Sequence, residues 1–146
     1  MEDKIRADLK SAMIAKDETR VSTLRLLISE LTYAKVGKEG GLPDDAVISV
    51  IQKEVKKRKE SIESFEKGGR PELAEKEQAE LEVLQKYLPE QISDEELTKV
   101  VEDSITKLGA STMADMGKVI GVVMGQVGAR AEGARVSLLV RSKLTN

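Results

Sequence analysis

The sequence has no cysteine, no histidine and no tryptophan. Without cysteine there is no disulfide, no thiolate nucleophile and no cysteine-ligated zinc. Without histidine the usual general base near neutral pH is missing, and so is the commonest metal ligand. The only aromatic rings are Tyr33, Phe65 and Tyr87. Rings so few and so scattered cannot form a stacking platform for single-stranded nucleic acid. Long apolar runs are absent as well. The longest weakly polar stretch, Val119 to Ala129, falls well short of the ~20 residues that cross a bilayer. Met1 to Lys10 is charged and carries no apolar segment of the signal-peptide kind. A cytoplasmic protein with no membrane partner is expected.

What remains is a chain of 146 residues, 40% of them apolar, enough for one domain or two small ones. Its core must be aliphatic. No alternating strand pattern occurs, and helical periodicity recurs throughout. Ile5, Leu9, Ala12 and Met13 mark a first helix over about residues 2 to 16. Asp17 can cap a second, whose stripe is Val21, Leu24, Ile28 and Leu31. The glycines of "VGKEGGLP" interrupt it. A long third helix starts at Asp44 or Asp45, with Val47, Ile51, Val55, Ile62 and Phe65 inward, and stops at Gly68 or Gly69. Pro71 opens a fourth, lined by Leu73, Leu81, Leu84 and Leu88.

Pro89 is the expected boundary, giving domains 1–89 and 90–146. Ser93 and Glu96 form a capping-box pattern for a fifth helix that ends at Gly109. A sixth runs from about Thr112 to Val127, and a seventh from about Glu132 to Leu144. The expected fold is all-α, with four helices followed by three.

The sixth helix raises the main question of the sequence. It carries Gly117, Gly121 and Gly125, with Gly128 just beyond, although glycine costs ~1 kcal/mol relative to alanine inside a helix. At 100° per residue from Gly117, the apolar side chains Met116, Val119, Ile120, Val123, Met124 and Val127 fall between about 200° and 340°. Ala114 and the four glycines fall between about 0° and 80°, and Lys118 at about 100°. The glycines therefore form a strip of bare backbone beside the core face. Either a neighbouring helix crosses close to it, or a partner backbone such as RNA docks on it.

Charge is divided in the same region. Residues 91–115 hold six carboxylates against two lysines, and residues 116–146 hold five cations against one glutamate. The cations are Lys118, Arg130, Arg135, Arg141 and Lys143. A basic end is a pointer to an anionic partner, or simply a solvated surface.

Other patterns carry less. Lys56, Lys57, Arg58 and Lys59 sweep about 300° of a helix, so they make no single basic face. Glu54–Arg58, Lys56–Glu60 and Lys59–Glu63 are positioned to pair within the helix. The acidic run Glu72, Glu75, Glu77, Glu80 and Glu82 lacks the histidines of helical di-metal sites, so no metal is expected. Ser64–Lys67 and Ser104–Lys107 lack the companion motifs of serine–lysine nucleophiles. "DMGKV" lacks the upstream glycine and following hydroxyl of a phosphate-binding loop. No catalytic residue and no cofactor emerge.

Three segments, "DLKSAMIAKDETRVSTLRLL", "KRKESIESFEKGGRPELAEKEQAELEVLQKYLPEQIS" and "ADMGKVIGVVMGQVGARAEGARVS", resemble the YqeY (GatB/YqeY) family in order and spacing, over about residues 2 to 144. The resemblance implies two helical domains. It makes the second similar to the tail of the GatB subunit of tRNA-dependent amidotransferase, which contacts tRNA while the amidation chemistry lies in other domains. The tail's pattern falls on Gly117, Gly121, Met124, Gly128 and Ala131. Gly125 stands where relatives often have proline, and Glu132, a poorer cap, where they usually have aspartate.

The resulting expectation is an accessory protein that engages tRNA, or an amidotransferase or aminoacyl-tRNA synthetase component. Lys118, Arg130, Arg135, Arg141 and Lys143 would hold phosphates, while Gly117, Gly121, Gly125 and Gly128 would allow close approach. A helical protein-interaction module is the alternative. A free-standing enzyme would carry a carbon–nitrogen ligase role only by association with the amidotransferase.

Overall fold

The computed structural model describes residues 1–145, and the chain divides into two compact units, Met1–Leu88 and Pro89–Asn146. Among the described residues all regular structure is helical.

The first unit contains α1 (Glu2–Ala15), α2 (Glu18–Ala34), α3 (Asp44–Lys67) and α4 (Pro71–Gln85). Its helix boundaries follow local chemistry. The Asp17 side chain accepts from Arg20 N at 3.2 Å and so caps α2. Pro71 occupies the first turn of α4, where no N–H is needed. The α1–α2 turn is closed by Lys16 in the left-handed region, at φ 57°, an uncommon place for a side-chain-bearing residue. The core is Ile5, Leu24, Leu27, Leu31, Val47, Ile51, Val55, Leu81 and Leu84, all buried. Several expected inward positions are not fully buried, Leu9, Val21, Ile28, Leu73 and Leu88 among them. Met13 is 49% exposed, while its neighbour Ala12 is fully buried. Ile62 and Phe65, in the last two turns of α3, are also only partly buried.

The second unit contains α5 (Asp94–Leu108), a 3-10 turn (Met113–Asp115), α6 (Met116–Val127), a second 3-10 turn (Gly128–Arg130) and α7 (Gly133–Thr145). Its core is aliphatic: Ile92, Leu97, Val101, Val119, Val123, Val127, Ala131, Val136, Val140 and Leu144. Each buried Val, Leu or Ile of this kind contributes about 1.5–3 kcal/mol. Ile92 N donates to Arg130 O at 2.8 Å, which fastens the lead-in segment to the α6–α7 connection. Gly109 ends α5 in the left-handed conformation, at φ 64°.

The expected capping box at Ser93 forms only by half. Ser93 Oγ accepts from Glu96 N at 3.1 Å, but the Glu96 carboxylate turns to Arg130 instead. A complete capping box lies at Thr112 and Asp115, ahead of α6. No helix among the described residues is long and apolar enough to cross a membrane.

Candidate nucleic-acid interface

The α6 sequence fixes which face is bare. Val119, Val123 and Val127 are buried, and these anchor the helix by one stripe. Gly117, Gly121 and Gly125 then face outward, and all three are exposed. A Cβ built on any of them meets no atom within 4 Å beyond its chain neighbours and the helix's own backbone. This corrects one of the two expectations: among the described residues no neighbouring helix crosses the strip. The backbone is bare toward open space.

Gly128 has a different role from the other three. It ends α6 at φ 55°, ψ −132°, a region that essentially only glycine adopts. It is a helix stop rather than a continuation of the strip.

The Thr112–Asp115 box orients the entry to α6. The Asp115 carboxylate accepts from Ser111 N at 3.2 Å and Thr112 N at 3.4 Å. These backbone bonds, Ser111's first, hold the Asp115 carboxyl below the usual carboxylate range, with a smaller contribution from the charge of Lys118.

The five candidate cations separate into two groups. Arg130 contacts Glu96 at 3.1 Å, Arg135 contacts Asp94 at 2.6 Å, and Lys143 contacts Glu102 at 2.9 Å. All three carboxylates belong to α5. Lys118, on the edge of the glycine strip, and Arg141 on α7 make no ion pair among the described residues. The structure thus joins the acidic 91–115 stretch to the basic 116–146 stretch through three ion pairs. Sequence reasoning missed Asp94, Glu96 and Glu102 as members of this site. The opposed charge of the two segments was the signal that could have found them.

In the first unit the polar groups also pair internally. Arg58 is buried and contacts Glu77 at 3.0 Å and Glu80 at 2.5 Å, both on α4. The expected Glu54–Arg58 pair is replaced by Glu54–Lys57 at 3.3 Å. Tyr87 donates its hydroxyl hydrogen bond to Asp8. Burial, reinforced by that bond, pushes the phenol well above its ordinary value, so it stays protonated. This pair lies in an open cavity of about 400 Å³ that also exposes Arg20 and Lys86. No group of three or more metal-ligating side chains occurs among the described residues.

Similar proteins bear on the whole chain. A protein of Pyrenophora tritici-repentis named "Altered inheritance of mitochondria protein 41, mitochondrial" is 35% identical over 130 residues, covering 88% of this chain and 71% of its own length. A protein of the same name from Lachancea thermotolerans is 36% identical over 110 residues, covering 73% and 59%. Another from Saccharomyces cerevisiae is 31% identical over 127 residues, covering 84% and 68%. These relatives are longer than the matched region and are named as mitochondrial, whereas the sequence reading expects a cytoplasmic protein. The family described as "Yqey-like protein" matches residues 2–144, and the chain belongs to the YqeY family.

Proposed function

We propose that the protein is a tRNA-engaging accessory protein that acts through its second unit and carries no catalytic centre of its own. One observation supports this reading above the others. Three glycines stand on an exposed helix face with no other element of the described residues against them. Each forgoes ~1 kcal/mol of helix stability relative to alanine, and no packing contact within the unit offsets that loss. A partner backbone that must come close to α6 accounts for them.

Lys118 borders the strip and has no ion-pair partner among the described residues, so it is available to a phosphate; Arg141 is available in the same sense. The resemblance of residues 114–137 to the GatB tail makes tRNA the anionic partner of choice. Amidotransferase or aminoacyl-tRNA synthetase components are the protein partners that would share that tRNA. Binding of this kind is led by phosphates and shape, and is only weakly specific for sequence.

The second reading is a protein-interaction module without RNA. It is favoured by Ile14, Tyr33 and Val36 in the first unit, exposed at 77%, 79% and 77%.

Titration of tRNA at several salt concentrations separates the two. The tRNA reading expects saturable binding that weakens with salt. Lys118→Ala with Arg141→Ala should make the dependence of log K on log salt shallower by about 1–2, the share of two phosphate contacts. No binding at low salt, or a double variant identical to the parent, supports the protein-partner reading.

A further inference from the structure

Asp94, Glu96 and Glu102 occupy three of the five cations that a phosphate backbone would use. Asp94 is nearly fully exposed, at 95% of its side chain, yet its carboxylate lies 2.6 Å from Arg135. Glu96 and Glu102 are likewise more than half exposed while they hold Arg130 and Lys143. No burial drives these side chains onto their partners. Charge does, and exposed pairs of this kind resist competition by only a fewfold each. A polyanion can therefore take the cations over, but it must first displace three carboxylates.

We infer that the α5 carboxylates act as an internal phosphate mimic, masking Arg130, Arg135 and Lys143 from RNA until a ligand placed by the rest of the surface displaces them. This rests on the reading of the second unit as RNA-binding. It adds a selectivity device: a generic polyanion loses a fewfold at each masked cation, whereas a ligand already held elsewhere on the surface of the second unit competes with the carboxylates at a raised effective concentration.

The test compares the full-length parent with Asp94→Asn/Glu96→Gln/Glu102→Gln. The probes are tRNA and a random-sequence RNA duplex, each titrated at several salt concentrations. The variant should bind the duplex at least tenfold more tightly than the parent does. Its log K against log salt should steepen by about 2–3, because three further phosphate contacts become available. A control, Glu90→Gln/Glu95→Gln/Asp103→Asn, removes the same charge from carboxylates that have no ion pair among the described residues. It should gain clearly less.

Equal gains in variant and control would overturn the masking, because net charge alone would explain them. An unchanged variant beside a parent that binds tRNA would overturn the masking and leave the tRNA reading standing. No binding by parent or variant at low salt would remove both. Circular dichroism checks that the triple variant is folded. If it is not, Glu102→Gln alone, in the middle of α5, should still tighten duplex binding, and failure to do so would overturn the masking.

Discussion

Replacing Gly117, Gly121 and Gly125 together by alanine should stabilise the second unit. The three residues lie inside α6, and the added methyls meet nothing within 4 Å. The change therefore gains helix propensity without a clash. At about 0.5–1 kcal/mol for each site, the sum is roughly 1.5–3 kcal/mol. Part of that gain acts through the unfolded chain, whose freedom each alanine reduces. For a unit of this size 1 kcal/mol moves the melting temperature by about 4–8 °C, so a rise of roughly 6–24 °C is expected. Thermal unfolding of the full chain, followed by circular dichroism and by amide exchange in α5 to α7, measures it. Gly128→Ala supplies the contrast. Its φ of 55° with ψ −132° is strained for any side chain, so that variant should lose about 1–3 kcal/mol. A triple variant no more stable than the parent would refute the claim that the strip faces open space at the expense of helix stability.

Four further outcomes follow from the ion pairs and hydrogen bonds. Arg58→Ala strands Glu77 and Glu80 against buried surface and should cost about 3–5 kcal/mol in urea unfolding, whereas Arg58→Met/Glu77→Gln/Glu80→Gln should recover most of it. Tyr87→Phe leaves Asp8 without its phenol donor and should cost about 1 kcal/mol by the same measurement. Asp115 has its folded value held down. Its contribution is thus complete above the ordinary carboxylate value near ~4 and is lost as pH falls through the lower folded value. Asp115→Asn should abolish that acid-side loss in a pH series of thermal melts. Arg130→Ala should weaken tRNA binding less than Lys118→Ala in a filter-binding titration, because Arg130 is already engaged by Glu96.

The helices were legible because their signals are local. Asp17, Ser93, Pro71 and Gly109 act within four residues of themselves, and each ends or begins a helix where its chemistry says it should. The inward stripe of α6 was equally plain, since burial of Val119, Val123 and Val127 follows from a 3.6-residue period. What could not be read is what faces each stripe. The strip of Gly117, Gly121 and Gly125 looks the same in sequence whether a helix or empty space lies over it.

Ion pairing failed for a related reason. Spacing favours partners four residues away, yet Arg58 bonds across the α3–α4 hairpin to residues 19 and 22 positions on. Burial makes the difference there, because a guanidinium turned inward needs carboxylates that are also inward. Thr112 and Asp115, by contrast, fit a known spacing. Their capping role is local and legible in that spacing.

The most direct measurement is the tRNA affinity of Gly121→Leu. The side chain enters open space in the middle of the strip, so the variant should fold and melt no lower than the parent, while its tRNA affinity should fall at least tenfold. A folded Gly121→Leu protein that binds tRNA as tightly as the parent would contradict the account.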